Sequence, residues 1–406
     1  MAFSDTPQTT INLTAGMQTY YSKLFLKYEE IVERHGQFAT KYDIPKASGK
    51  TIQMFGYRPF AIVDTADVEG VVSANIQTID QRNVSATLKE WSAYAKISTL
   101  ASMTHIDPEM KGVTRLAGEQ AGKSEDWQYA LELGRAGHYP IRVDEDTTNT
   151  RTFYGTTAGT TSVITTTTIV ETTADTWNGA HIVCDAGPNY GYSGRVLDYS
   201  FSSPNATITL TPATSIATAT TDHWRMVETV AIAATDIATT VDLNQVLTQL
   251  QENIASPFGD GYYAGLAAPR VLGDLRQDAT FILASQYSNA TALYKGEFGK
   301  WSNIRFIMTT QPYRENKMVV GSSVGATNRA LGGVFVTEIV GQDSYGGITL
   351  SGANQQVYVR SWEQLGQATP TFGTIGWKAV RTAKSTNGMW TMGLISGATG
   401  VTMTVD

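Results

Sequence analysis

The chain has 406 residues, 42% of them apolar, which allows two or three domains with real cores. Charged residues are only 17%, against about a quarter on average, and 30 basic residues face 37 acidic ones for a net charge of −7, which argues against a dedicated nucleic-acid binder. Cys184 is the sole cysteine, which excludes an intrachain disulfide and a Cys-based zinc site; no run of 18 apolar residues suggests a membrane span.

Residues 1–16, MAFSDTPQTTINLTAG, are polar and aperiodic and read as a flexible arm, with neither the basic region nor the apolar run of a signal peptide. Thr14 can cap a helix carrying Met17, Tyr20, Tyr21, Leu24, Tyr28, Ile31 and Val32 on one side. Residues 45–99 look extended. Gly49, Gly56, Pro59 and Gly70 break them, while Val84, Ala86, Leu88 and then Ala93, Ala95, Ile97 alternate. Asp107-Pro108 opens a long helix to about Gly134, with Met110, Val113, Leu116, Ala117, Gln120, Ala121, Ser124, Trp127 and Leu131 at helical spacing. At 1.5 Å per residue it spans roughly 40 Å.

Residues 156–173 are mostly threonine, which favours strands over helix interiors. Short strands with Gly, Pro and Asn turns follow up to a closing strand at Trp224–Val230, the pattern of a small barrel or sandwich. A helix at Asp242–Ile254, with Asp242 as N-cap, presents Leu243, Val246, Leu247, Leu250 and Ile254 on one face. Tyr262–Leu266 reads as a buried strand. Pro269 then opens a helix with Val271, Leu272, Leu275, Ala279 and Ile282 at helical spacing. Gly296-Glu297-Phe298-Gly299 is a turn before a strand at Ile304–Met308. Val334–Ile339, Gln356–Trp362, Thr374–Lys384 and Met389–Leu394 read as further strands.

No catalytic, cofactor or metal site emerges. Ala117–Ser124, AGEQAGKS, fits a relaxed phosphate-loop pattern, but the helical spacing from Met110 places it inside a helix, where its N–H groups are already used. Gly118 and Gly122, four apart, suit close packing of another element instead. His35, His105, His138, His181 and His223 show no metal-ligand spacing. Asp144-Glu145-Asp146 lacks the spaced ligands of a calcium loop. Lys46, Lys50 and Asn387 are the residues to watch for an isopeptide crosslink, though nothing local singles out a pair. The tryptophans lie on separate elements without interleaved basic residues, so they suit cores or interfaces better than base stacking.

The order strand, Pro269 helix, Gly-Glu-Phe-Gly turn and strand resembles the axial domain of a tailed-phage major capsid protein, closest to the family typified by the podovirus N4. Tyr20-Tyr21-Ser22-Lys23-Leu24, Ile44-Pro45-Lys46, Gly49-Lys50-Thr51-Ile52, Ile106-Asp107-Pro108, Leu116–Gly122 and Thr374–Ala379 extend the likeness over most of 17–140 and 230–395. The resemblance implies an α+β Johnson (Hong Kong 97-type) phage capsid fold with an inserted small all-β, barrel-like domain. Its implied parts are a flexible arm at 1–16; the N-terminal helix, extended loop and peripheral domain with its spine helix at 17–144; the inserted β domain at 145–228; an axial domain at 229–345; and a return to the peripheral domain at 346–406. The insert, which does not match, is expected to be a separable module on the shell's outer face.

The implied role is self-assembly into hexamers and pentamers of an icosahedral head shell, in the virion, after assembly in the bacterial host cytoplasm. The extended loop is expected to reach over a neighbouring subunit. Scaffolding, portal and decoration proteins are implied partners, and packaged double-stranded DNA a non-specific one. No enzyme activity, cofactor or membrane is implied. An encapsulin-like nanocompartment shell is the nearest alternative. An adhesive or carbohydrate-binding β protein fits the Thr-rich insert but not the helices, and a nucleotide hydrolase rests on AGEQAGKS alone.

Overall fold

The computed structural model describes residues 14–30, 34–57, 60, 62–67, 69–70, 75–77, 79, 81–98, 100, 109–144, 150–169, 171–228, 232, 235–278, 300–315, 334–351, 355–360 and 372–399. Asp107-Pro108, Glu145, Asp146, His105 and the Gly296–Gly299 turn lie outside these residues.

Helix α1 (Thr14–Glu30) and a 3-10 turn (His35–Phe38) precede β1 (Thr40–Ile44), β2 (Thr51–Tyr57), β3 (Gln81–Thr87) and β4 (Lys89–Ser98). Helix α2 (Glu109–Ala136) leads to β5 (Tyr139–Arg142). Six strands follow: β6 (Thr150–Tyr154), β7 (Val163–Thr166), β8 (His181–Ala186), β9 (Ser193–Ser202), β10 (Asn205–Thr211) and β11 (His223–Val227). Next come α3 (Thr240–Glu252), β12 (Tyr263–Ala267), α4 (Pro269–Gln277), β13 (Lys300–Trp301), β14 (Ile304–Met308), β15 (Arg314–Glu315) and β16 (Val334–Val340). The chain continues through β17 (Tyr345–Leu350), β18 (Gln356–Arg360), β19 (Phe372–Ser385), a 3-10 turn (Gly388–Trp390) and β20 (Thr391–Ser396).

A five-stranded sheet orders β1, β17, β19 and β18, with β4 also paired to β19. Helix α2 lies on its inner face. Phe25, Ala121, Trp377 and Ala379 form one buried cluster between α1, α2 and β19. The face of α1 towards α2 includes Tyr28 of the predicted stripe and adds Phe25 and Glu29, which are buried, whereas Tyr20 is exposed. The reason is backbone proximity. A Cβ on Gly118 would stand 2.7 Å from the Phe25 carbonyl oxygen, and one on Gly122 2.6 Å from that of Glu29. The two glycines therefore admit α1, and the buried Arg381 guanidinium pairs with Glu125 and lies 3.8 Å from Glu29.

A seven-stranded sheet orders β13, β14, β12, β16, β20 and β5, with β15 also on β16. Strand β12 is buried at all five positions, as an apolar run between helices requires. Leu243, Val246 and Leu250 of α3 and Val271, Leu272 and Leu275 of α4 pack into its core. Pro269 sits in the first turn of α4. Helix α3 starts earlier than the predicted Asp242: Thr239 is the N-cap, and Asp242 at the third helical position accepts from the Thr239 N–H at 2.7 Å. This reciprocal capping box, rather than an Asp cap, closes the first turn.

The last stretch divides between sheets. Strands β17 to β19 join the five-stranded sheet, but β20 lies in the seven-stranded sheet between β16 and β5. The 3-10 turn after Asn387 redirects the chain, and β20 is buried at all six positions. Strand β5, from the stretch expected in the peripheral domain, likewise pairs with β20.

Strands β6 to β11 form a separate six-stranded sheet ordered β6, β11, β8, β9, β10, β7. Its two ends meet at the Thr157–Thr165 bridge, and the Thr166 hydroxyl donates to the Tyr154 carbonyl at 2.9 Å, so the sheet closes on itself. Burial alternates along β10, and Trp177, Trp224, Tyr199 and Ile208 fill the interior. Its base is built into the body: Val183 of β8 belongs to the main core with Leu243 and Met392.

Among the described residues, strands β2 and β3 pair only with each other, from Thr51–Thr87 to Tyr57–Gln81, as an antiparallel ribbon. Met54, Ala86 and Leu88 at its base pack with Ile44 and Ile348 of the five-stranded sheet.

Candidate assembly surfaces

The residues singled out for chemistry are occupied structurally. All of Ala117–Ser124 lies within α2, so no phosphate loop forms. Asp144 accepts from the Arg142 guanidinium at 2.8 and 2.6 Å. The rings of His138 and His181 lie 4.3 Å apart. Burial, with Arg195 nearby, pushes His181 well below the usual histidine range. His223 pairs with Asp185. The Asn387 side chain accepts from the Met389 N–H at 3.1 Å, while Lys46 and Lys50 are exposed. Among the described residues, no group of three or more His, Cys, Asp or Glu could hold a metal ion.

Among the described residues, the segment between β2 and β3 carries many exposed apolar side chains. Phe55, Tyr57, Phe60, Ile62, Val63, Ile76 and Ile79 are all exposed along the ribbon and its tip, with Ile62 93% accessible. Scattered exposed apolar residues are ordinary, but a contiguous set marks a surface meant to be covered. The tip is also acidic: Asp64, Asp67 and Glu69 are exposed on it. Asn75 gathers it by donating to the Thr65 carbonyl at 3.0 Å and to Asp67 at 3.2 Å.

A second open area is the outer face of the five-stranded sheet. Odd-numbered residues of β19, Ile375, Trp377, Ala379 and Arg381, point to the helices and are buried. Even-numbered residues share the opposite face with their cross-strand partners. There Gly376 lies between Tyr94 of β4 and Tyr358 of β18, and Thr374 between Lys96 and Arg360. Tyr94 is 70% accessible. A Cβ on Gly376 would come 2.8 Å from the Tyr94 Cβ, so the glycine keeps a furrow open between the tyrosines.

The barrel is fixed to the body through polar contacts that sequence reading missed. Arg195 of β9 donates to the Gly179 carbonyl at 2.8 Å and reaches the Arg135 carbonyl, with that of Gly134 at 3.4 Å. These last two are carbonyls at the C-terminal end of α2, which the helix leaves without internal partners. Arg225 of β11 donates to the Tyr139 hydroxyl at 2.8 Å.

No protein-family profile matches the sequence, and no curated protein matches it. Solved structures do. The chain is similar to a chain of the capsid structure of the cyanophage P-SCSP1u, with 11% identity, coverage of 89% of this chain and 87% of that one, and a TM-score of 0.50. It is similar to the capsid of the cyanophage Pam1 at 10% identity, 88% and 87% coverage and a TM-score of 0.51. The mature capsid of bacteriophage PhiM1 gives 8% identity, 91% and 88% coverage and a TM-score of 0.51. The α+β chain thus has the fold of phage capsid chains along nearly its whole length.

Proposed function

We propose that the chain is the major capsid protein of a tailed double-stranded DNA bacteriophage, with the Hong Kong 97-type fold, closest to the N4-type family. The observation that carries this is a likeness covering close to nine-tenths of both chains against capsid chains. The open apolar ribbon supports it, because a shell subunit must present surface that its neighbours cover. In this reading α2 is the spine helix of the peripheral domain, and the seven-stranded sheet with α3 and α4 is the axial domain. The ribbon is the extended loop, and β6 to β11 form an inserted barrel. The work is assembly, with heterologous contacts that close by rotation into rings. The genome is enclosed non-specifically, in keeping with the acidic balance; scaffolding, portal and decoration proteins complete the set of partners.

A nanocompartment shell would use the same fold around a protein cargo. Electron microscopy of the purified protein tests the assembly. Uniform closed shells are the expected result, and monodisperse monomers at high concentration would overturn it. Nucleic acid rather than enzyme inside particles from infected cells separates the two shells.

A further inference from the structure

We infer that His138 and His181, in contact across the seam between body and barrel, form a latch that acid opens. Protonation sets a second cation beside Arg195 and releases the barrel from the end of α2. This is a property of the single subunit and holds whatever the chain assembles into.

The two rings come from opposite sides of the seam. His138 lies between the end of α2 and β5, and His181 opens β8 of the barrel. Each is 1% accessible, and their rings are 4.3 Å apart and tilted by 54°. The His138 Nδ1 is 2.8 Å from the Leu133 carbonyl oxygen, which can only accept, so that nitrogen holds the proton of the neutral ring. A Cβ on Gly393 would collide with the His138 ring, so β20 closes that side of it. His181 stands opposite Arg195 in the β8–β9 register. Arg195 is itself buried and directs its donors to the Gly179, Arg135 and Gly134 carbonyls.

Charge sets the response. A proton on either ring places a positive charge in a buried site that already holds the Arg195 guanidinium. The acids on the elements packed here have other partners or face solvent. Asp185 of β8 pairs with His223 of β11, Glu132 of α2 with Lys384 of β19, and Asp144 beyond β5 with Arg142. Asp198 of β9 is exposed. Arg135 in the last turn of α2 and Arg225 of β11, which donates to the Tyr139 hydroxyl next to His138, are further cations. Strand β20 and the 3-10 turn Gly388–Trp390 carry no charged residue.

Burial, with Arg195, holds His181 well below the ordinary histidine range while the seam is closed. Once the barrel lifts, water reaches the ring and the ordinary value of about 6.5 returns. The open form therefore binds more protons. Closure is complete above about pH 6.5 and weakens as pH falls towards the lowered value. Each proton taken up on opening favours the open form about tenfold per pH unit.

Amide hydrogen exchange on the full chain, from about pH 8 to about pH 5 and corrected for the intrinsic rate, tests the latch. Protection at residues 133–139 and 179–183 should fall about tenfold per unit below about pH 6, while β17 in the five-stranded sheet keeps its protection. His181→Gln cannot take the proton and should flatten the slope. A flat wild-type slope, equal loss in β17, or an unchanged slope in His181→Gln overturns the latch. NMR of the wild type with isotope-labelled histidine needs no variant and gives a second reading. His181 should stay neutral until seam protection drops and then titrate with it. Its titration in the ordinary range with the seam still protected overturns the proposal.

Discussion

Asp126 grips His35 twice with one oxygen: Oδ1 accepts from the His35 backbone N–H at 2.7 Å and lies 2.9 Å from the ring Nδ1. On the far side of the ring, Nε2 is 3.6 Å from a carboxylate oxygen of Glu338, which is buried. The cluster joins the turn before β1, the middle of α2 and the centre of β16. It therefore ties the five-stranded unit to the seven-stranded one.

The two carboxyls titrate in opposite directions. Burial, with the nearby Asp126 charge, pushes Glu338 well above the usual carboxylate range. Burial also opposes ionisation of Asp126, but hydrogen bonds from the His35 ring and from the His35 and Arg34 backbone outweigh it and hold Asp126 low. A raised folded-state value means the stability linked to Glu338 is full below the ordinary carboxylate range and lost as pH rises through the raised value. Melting temperature of the wild type should thus fall as pH rises through that value, and Glu338→Gln should flatten this fall. Asp126 contributes above the ordinary range and loses its contribution only as pH drops through its lowered value. Asp126→Asn should therefore be destabilising at neutral pH and converge on the wild type in acid.

Gly122 and Gly112 offer a paired test of the α1–α2 contact. A methyl on Gly122 meets the Glu29 carbonyl oxygen at 2.6 Å, whereas among the described residues nothing lies within 4 Å of one on Gly112. Gly122→Ala should destabilise by about 1–3 kcal/mol through overpacking. Gly112→Ala should stabilise by roughly 0.5–1 kcal/mol, because alanine is the better helix former. Urea unfolding measures both, and equal effects would refute the close approach.

Much of this was legible where local pattern dominates. The strand Ile304–Met308 and the Pro269 helix declared themselves by apolar runs and a proline at a helix start. The phosphate-loop look-alike was recognisable because helical spacing ran through it. Strands β1, TKYDI, and β17, YGGITL, were not readable: one is polar, the other glycine-rich, and their parallel pairing joins Thr40 to Gly346. On α1, Tyr28 of the apolar stripe meets Gly118, while Phe25 and Glu29 beside it are buried because Gly118 and Gly122, in another helix, admit the backbone there. The exposed ribbon of β2 and β3 showed in its glycine breaks and extended pattern. The juxtaposition of Tyr94, Tyr358 and Gly376 did not, since they come from three distant segments and meet only through sheet register.

Arg195 bears on whether the barrel is a detachable module. Its guanidinium joins the barrel to the last turn of α2, and Val183 enters the main core. Arg195→Met removes buried, charge-assisted hydrogen bonds, a loss of about 2–3 kcal/mol. Thermal unfolding should report this drop, and limited proteolysis should show earlier cleavage of the variant than of the wild type. Replacing Thr150–Val227 by a short linker should lower stability further, because it strips a wall from the core as well. A deletion as stable as the parent would support the separable-module reading.

The ribbon should be dispensable for folding and required for assembly. Tyr57 and Gln81 already face each other as its outermost pair. Removing residues 58–80 and joining this pair by Asn-Gly leaves a two-residue hairpin, for which that dipeptide supplies the needed positive φ values. The buried base of Met54, Ala86 and Leu88 is untouched, so unfolding free energy should stay within about 0.5 kcal/mol of the wild type. Shell formation should vanish, because the deletion takes away Ile62, Val63, Ile76 and the acidic residues beside them together. Sedimentation velocity distinguishes the outcomes. Soluble subunits with an unchanged melting curve are expected, while intact particles would show that the open apolar tip is not what holds neighbours together.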